Sequence, residues 1–189
     1  GVAGQALGGG QNANATAPGD KGGAYALGFV NTSIPGLTIH PVYYNVLDTA
    51  NAYWIDLTYK APYGIKLEGL YASVDPIGGT QTVLDNLKGT AAAPGTSTKT
   101  TDGYALKVSG ELYGVNLDLA YSNIGKGFMP IGNTATGFKK TKVYTASILS
   151  DGYIAGSPDS TGWKLGASTK ISMFDIAASY ATYKIGKND

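Results

Sequence analysis

Polar and apolar residues alternate along Ala52-Tyr53-Trp54-Ile55-Asp56-Leu57-Thr58-Tyr59-Lys60. Tyr53, Ile55, Leu57 and Tyr59 share one parity; Ala52, Trp54, Asp56, Thr58 and Lys60 share the other. Successive side chains of a strand point to opposite faces, so the segment presents an oily stripe, tyrosine at each end, backed by a mostly polar face. Trp54 is the exception, a large aromatic on the polar parity. If it faced lipid and Ile55 the interior, the inside-outside assignment would invert.

The pattern recurs. A first strand over 23–32 sets Tyr25, Leu27 and Phe29 on one face, and 37–47 forms a second. Over 65–71, Ile65, Leu67 and Tyr71 oppose Lys66 and Glu68; over 103–112, Tyr104, Leu106 and Val108 oppose Lys107 and Glu111. Val115, Leu117, Leu119 and Tyr121 alternate with Asn116, Asp118 and Ala120. Trp163, Leu165 and Ala167 oppose Lys164, and Phe174, Ile176, Ala178 and Tyr180 oppose Asp175, Ala177 and Ser179. Residues 142–150 have strand-like composition with weak alternation, and 1–22 are aperiodic.

Short turns are expected at 33–36, 61–64, 113–114 and 171–173, with Pro35-Gly36 suited to the middle of a type II turn. Two of the alternate connections, 75–102 and 123–161, are long and dense in small residues, as extracellular or constriction loops. Aromatic residues mark both ends of the apolar stripes. Tyr59, Tyr63, Tyr113 and Phe174 lie near the short turns; Tyr53, Tyr71, Tyr104, Tyr121, Trp163 and Tyr180 lie near the opposite ends. Rings with one apolar and one wet end favour a membrane interface. The expected fold is all-β: a transmembrane, antiparallel, up-and-down β-barrel with about eight strands in this chain, a single barrel or barrel section over 1–189. The competing reading, a soluble sandwich or secreted fibre, shares the period but has no reason to collect tyrosine at strand ends.

Composition sharpens this. Only 14% of the 189 residues are charged, against roughly 25% for soluble domains. Gly (28) and Tyr (14) are abundant. Net charge is +1, which implies no nucleic-acid partner. Every basic residue is lysine, so bidentate arginine clamps are excluded. Cysteine is absent, which removes disulfides, zinc–cysteine sites and thiol chemistry. No apolar run approaches the roughly 20 residues of a spanning helix. The chain opens at Gly1 without a leader, consistent with a mature chain or a piece of one.

Candidate chemistry is sparse. His40 is the lone histidine, and no Gly-x-Ser-x-Gly motif supports it as a base. Asn123–Gly127 has too few glycines in register for a phosphate loop. Asp151 and Asp159 are loop aspartates able to meet Ca²⁺, but the ion has no placed site. Asn14-Ala15-Thr16 and Asn31-Thr32-Ser33 match a glycosylation pattern by composition. No enzyme activity or cofactor is expected, and Ca²⁺ is a possible ligand without a placed site. What the polar parity does offer is a wet wall: Asp56, Lys60, Lys66, Glu68, Lys107, Glu111, Asp118, Lys164 and Asp175 as pore-lining groups that tune ion passage.

Two stretches resemble a known family. Pro35-Gly36-Leu37-Thr38-Ile39, Tyr43-Tyr44-Asn45-Val46, Ala52-Tyr53-Trp54-Ile55-Asp56 and Tyr59-Lys60 follow in the order of the major outer-membrane porins of Campylobacter-type bacteria. Val143-Tyr144-Thr145 with Asp151, then Gly162-Trp163-Lys164-Leu165-Gly166-Ala167, is similar to those porins and, more distantly, to OprD-type porins. The clear part covers about 30–70 and 141–170. The resemblance implies a Gram-negative outer-membrane barrel larger than eight strands, a homotrimer, inward-folding loops, and a chain that is one section of the whole. The arginine ladder of OprD-type porins has no counterpart here, and the calcium site of the Campylobacter-type porins is left possible but unplaced on the residues of this chain. The leading expectation is passive diffusion of small hydrophilic solutes and ions through an outer-membrane porin. The alternatives are a complete eight-stranded barrel serving as anchor or adhesin, and a secreted β-rich structural protein.

Overall fold

The computed structural model describes residues 23–87, 100–127, 131, 143–146 and 155–186. Eight strands form one antiparallel sheet in chain order: β1 (Ala24–Gly28), β2 (Leu37–Val46), β3 (Ala50–Lys60), β4 (Lys66–Pro76), β5 (Thr101–Leu112), β6 (Val115–Ile124), β7 (Ser160–Ile171) and β8 (Phe174–Ile185). Each strand pairs only with its sequence neighbours, and β1 and β8 do not pair with each other. Among the described residues the eight-stranded barrel is therefore not closed; the up-and-down sheet stays open along the outer edges of β1 and β8.

Short connections form at the predicted places. Leu37 N–H donates to Ile34 O (3.0 Å) across Pro35-Gly36, with Gly36 at φ +78° as a type II turn requires. A single 3-10 turn, Pro62–Gly64, joins β3 to β4. Tyr113 (φ +50°) and Gly114 (φ +78°) make the tight β5–β6 hairpin, in the backbone hand that matches strand twist. A non-glycine residue held there costs on the order of 1 kcal/mol. Three strands run longer than their periodic cores suggested: β4 continues to Pro76, β6 to Ile124 and β8 to Ile185. The first is shorter than the expected 23–32, ending at Gly28 with only an isolated Asn31–Ile39 bridge beyond it.

Two expectations change. The stretch 75–102 is not loop throughout, because α1 (Gly78–Leu87) lies inside it. Its start is fixed from the β2–β3 hairpin: Gly79 N–H donates to Asp48 Oδ1 (2.8 Å) and Thr80 N–H to Asp48 O (3.3 Å). An aspartate satisfying a first-turn N–H acts as a cap supplied from a distance. Of 142–150, residues 143–146 form a turn closed by Ala146 N–H to Val143 O (2.9 Å), not a strand. Residues 147–150 and Asp151 lie outside the described residues, as do 1–22.

The register assigns faces without ambiguity. Asp56 pairs with His40 and Leu70, Leu70 with Ala105, Ala105 with Ser122, Ser122 with Gly162 and Gly162 with Tyr183. Directly paired residues share a face, so this row marks one face across β2–β8, here called inner. The other face carries Tyr53, Ile55, Leu57, Leu106, Val108, Leu117, Leu119, Leu165 and Ile176, all exposed. Trp54 is inner, 3% exposed, and Ile55 outer, so the sequence-derived register of β3 holds. The buried cluster lies on the inner face. Trp54, Leu70, Ala72, Ala105 and Ile124 pack there against Ile131, Val143 and Ala155 from the β6–β7 connection.

This assignment predicts a contrast between neighbours on β5. Val108→Arg places a charge on the outer face and is expected to destabilise a bilayer-inserted barrel by about 2–4 kcal/mol near the midplane. Ser109→Arg, one residue on and inner, is expected to cost about 1 kcal/mol or less. Denaturant titrations of vesicle-inserted protein distinguish them; equal losses would mean that the outer face does not meet lipid.

Candidate functional site: the inner wall and its inward segment

The nine charged residues expected to line a pore share the inner face. On β3 and β4 these are Asp56, Lys60, Lys66 and Glu68; on β5 and β6, Lys107, Glu111 and Asp118; on β7 and β8, Lys164 and Asp175. Three come together. Lys66 Nζ lies 2.7 Å from Glu68 Oε1, and Lys107 Nζ lies 2.8 Å from Glu68 Oε2. Lys60 is the direct partner of Lys66 across β3–β4. Like charges facing one another repel, and Lys66 relieves the repulsion by leaning along its own strand to Glu68. Asp56 Oδ2 accepts from Trp54 Nε1 (3.0 Å) and lies 3.8 Å from His40 Nδ1. Trp54 is thus no misplaced lipid anchor: its ring is buried and its N–H meets a carboxylate. Glu111 pairs with Asn116, Asp118 with Gly166 and Asp175 with Lys170, without joining the Glu68 triad.

The outer face carries the expected aromatics. Tyr53, Tyr59, Tyr71, Tyr104, Tyr121, Trp163, Phe174 and Tyr180 all occupy it. Ring pairs Tyr104–Tyr121 (6.1 Å) and Tyr121–Trp163 (4.6 Å) run along its loop-side margin, as does Tyr43–Tyr53 (5.0 Å). Such pairs contribute about 0.5–1.5 kcal/mol each beyond area burial. Tyr63 and Tyr113 differ: both stand in the turns at positive φ, 98% and 97% exposed, beyond the strand face rather than on it.

Residues 143–146 lie against the inner wall. Thr145 Oγ1 is 2.7 Å from Ser122 Oγ, Tyr183 Oη donates to Thr145 O, and Lys164 Nζ donates to Ala146 O (3.1 Å). Tyr144 Oη donates to Gly69 O (3.3 Å), and the Tyr144 ring centroid lies 5.8 Å from Lys107 Nζ. The wall makes room through small residues. Ala72, Ala105 and Ala120 are at most 1% exposed, and a Cβ on Gly162 would stand 3.1 Å from Ser122 Oγ and 3.2 Å from Thr145 Oγ1. Burial pushes the Tyr144 phenol above its ordinary range, with the Asp56 and Glu68 carboxylates adding to the shift.

Tyr144, Tyr183, His40 and Lys170 were not among the sequence-derived wall residues. Lys170 could have been found by extending the β7 parity six residues past Lys164. Tyr144 carried no periodic signal, because its place depends on a connection folding back over distant strands. Among the described residues, no cluster of three metal-ligating side chains forms.

Comparison with protein-family models and with curated sequences finds no match. Solved structures do match. OccK3 (OpdO) of Pseudomonas aeruginosa aligns with TM-score 0.65 at 12% identity, over 87% of this chain and 41% of that one. The outer membrane protein OprD from Pseudomonas aeruginosa aligns with TM-score 0.60 at 12% identity, over 87% and 42%. OccAB4 of Acinetobacter baumannii gives 0.51 at 12%, over 84% and 37%. The chain has the fold of part of an OprD/Occ β-barrel and spans about two fifths of the length of these structures.

Two outcomes test the seat of the inward segment. Gly162→Val is expected to lift 143–146 from the wall and uncover Trp54, read as increased acrylamide quenching in a Trp163→Phe background; unchanged quenching would mean that the wall does not hold the segment. Alkali is expected to act similarly. The seated phenol keeps its proton to higher pH than a released one, so the stabilisation is full below the ordinary phenol range and is lost as pH rises through the elevated value. Absorbance at 295 nm should show a late-ionising tyrosine, and Tyr144→Phe should remove its contribution.

Proposed function

We propose that this chain is a section of an outer-membrane porin through which small hydrophilic solutes and ions diffuse passively. The observation that carries this reading is the separation of faces. The nine wall charges from β3 to β8 point inward, while the opposite face is aliphatic and bounded by aromatic side chains, its charges Asp75, Asp102 and Lys184 standing only at the loop-side strand ends. The fold shared with OprD, an outer membrane protein, supports the same location. No helix of the described residues is long and apolar enough to span a membrane, and in this reading the crossings are made by strands.

The open edges support a barrel larger than eight strands. Unpaired backbone groups along β1 and β8 are too costly to leave in hydrocarbon, so further strands pair with both. This favours the porin over the self-contained anchor. Residues 123–161 contribute to the constriction, since 143–146 of that connection lie on the wall. The Campylobacter-type likeness and a homotrimer belong to this reading, as do outer-membrane lipid as the surrounding solvent and a lumen that performs no chemistry.

Planar-bilayer recording of the native full-length protein, extracted in detergent, is expected to give stepwise, ohmic conductance. Native mass of the same preparation is expected at three times the protomer. Absence of conductance from the assembled protein removes the channel reading; a monomeric mass removes only the trimer.

A further inference from the structure

We propose that Tyr144 sets the charge preference of the pore by masking Lys107. The inference rests on the porin reading and assigns one residue a role in selectivity within it. Lys107 stands on the inner wall beside the inward segment, where a permeating ion would meet it. Its ammonium is nevertheless enclosed. Glu68 Oε2 holds it at 2.8 Å on one side, and the Tyr144 ring covers it at 5.8 Å on another, leaving the side chain 26% exposed. A ring face within about 6 Å of a cation attracts it and displaces part of its water.

Tyr144 is itself held by its hydroxyl donating to Gly69 O, and its neighbour Thr145 is held by Ser122 and Tyr183. The ring is therefore positioned by the wall. Glu68 is shared between Lys107 and Lys66, so the triad carries one excess positive charge. With the ring seated, Lys66 presents that excess, its side chain 42% exposed. With the ring gone, Lys107 also faces the lumen. Tyr144 thus keeps permeating anions from close contact with Lys107 while leaving the wall's net charge unchanged.

The test uses the full-length protein and two independent readouts. In bilayers under a KCl gradient, Tyr144→Ala is expected to move the reversal potential toward chloride, with the chloride-to-potassium permeability ratio rising about twofold. Tyr144→Phe keeps the ring and is expected to stay near wild type. In a Lys107→Gln background, Tyr144→Ala should produce no further shift. The second readout needs no current: acylation of Lys107 by a small amine-reactive ester in detergent, measured by peptide mass spectrometry, should accelerate severalfold in Tyr144→Ala and not in Tyr144→Phe. Should Tyr144→Ala fail to assemble, Tyr144→Leu carries both measurements. Wild-type labelling and selectivity in the Ala or Leu variant overturn the proposal, as does a shift that persists without Lys107. A silent wild-type channel overturns the porin reading and the selectivity role with it, while the labelling contrast still decides whether the ring masks the lysine.

Discussion

An antiparallel register that runs from β2 to β8 without a slip is the constraint on which everything else depends. Because side chains alternate with period two, a shift of one residue in the β4–β5 pair would send Lys107 or Glu68 outward and a leucine inward. The backbone hydrogen bonds that join the strands therefore also sort the side chains. One set of residues meets an apolar surround, and the other forms a polar wall. The tight hairpins, above all Tyr113-Gly114, fix that register at one end of the sheet by fixing how many residues separate paired positions.

The core is not of the usual kind for a sheet protein. Among the described residues there is no second sheet and no helix layer on the inner face. The buried cluster instead sits between the wall and pieces of one connection, with Trp54 and Leu70 supplying the bulk from the strands and Ile131 and Val143 supplying it from above. Apolar burial and wall charges thus share a face. Trp54 shows how they coexist: its ring joins the cluster while its N–H binds the Asp56 carboxylate that borders it. Desolvating a carboxylate is tolerable where donors replace the lost water.

Most of the sheet was legible in the sequence because alternation is local. The parity of Tyr53, Ile55, Leu57 and Tyr59 places β3 whatever surrounds it, and the charged wall followed from the same count. What escaped depended on distant packing. The inward seat of Tyr144 requires Gly69, Ser122, Lys164 and Tyr183 from four strands, and nothing within a few residues of Tyr144 encodes that. The start of α1 was hidden for the same reason, since Asp48 holds it from thirty-one positions away. Trp54 looked out of place only because its cover lies so far along the chain. Tyr63 and Tyr113 were read as strand-end aromatics beside the short turns; positive φ carries them past the face into those turns.

The small residues under the inward segment have a consequence for how such a protein can change. Ala105, Ala120, Ser122 and Gly162 form a floor cut to the shape of what rests on it. Their smallness is a record of contact, not of slack backbone. Wall and segment are then inherited as a matched pair: a bulkier residue in one requires a trimmed residue in the other. A connection transplanted from a different barrel would arrive over a floor shaped for other side chains, and the bore of the resulting pore would follow from that misfit as much as from the new loop's own sequence.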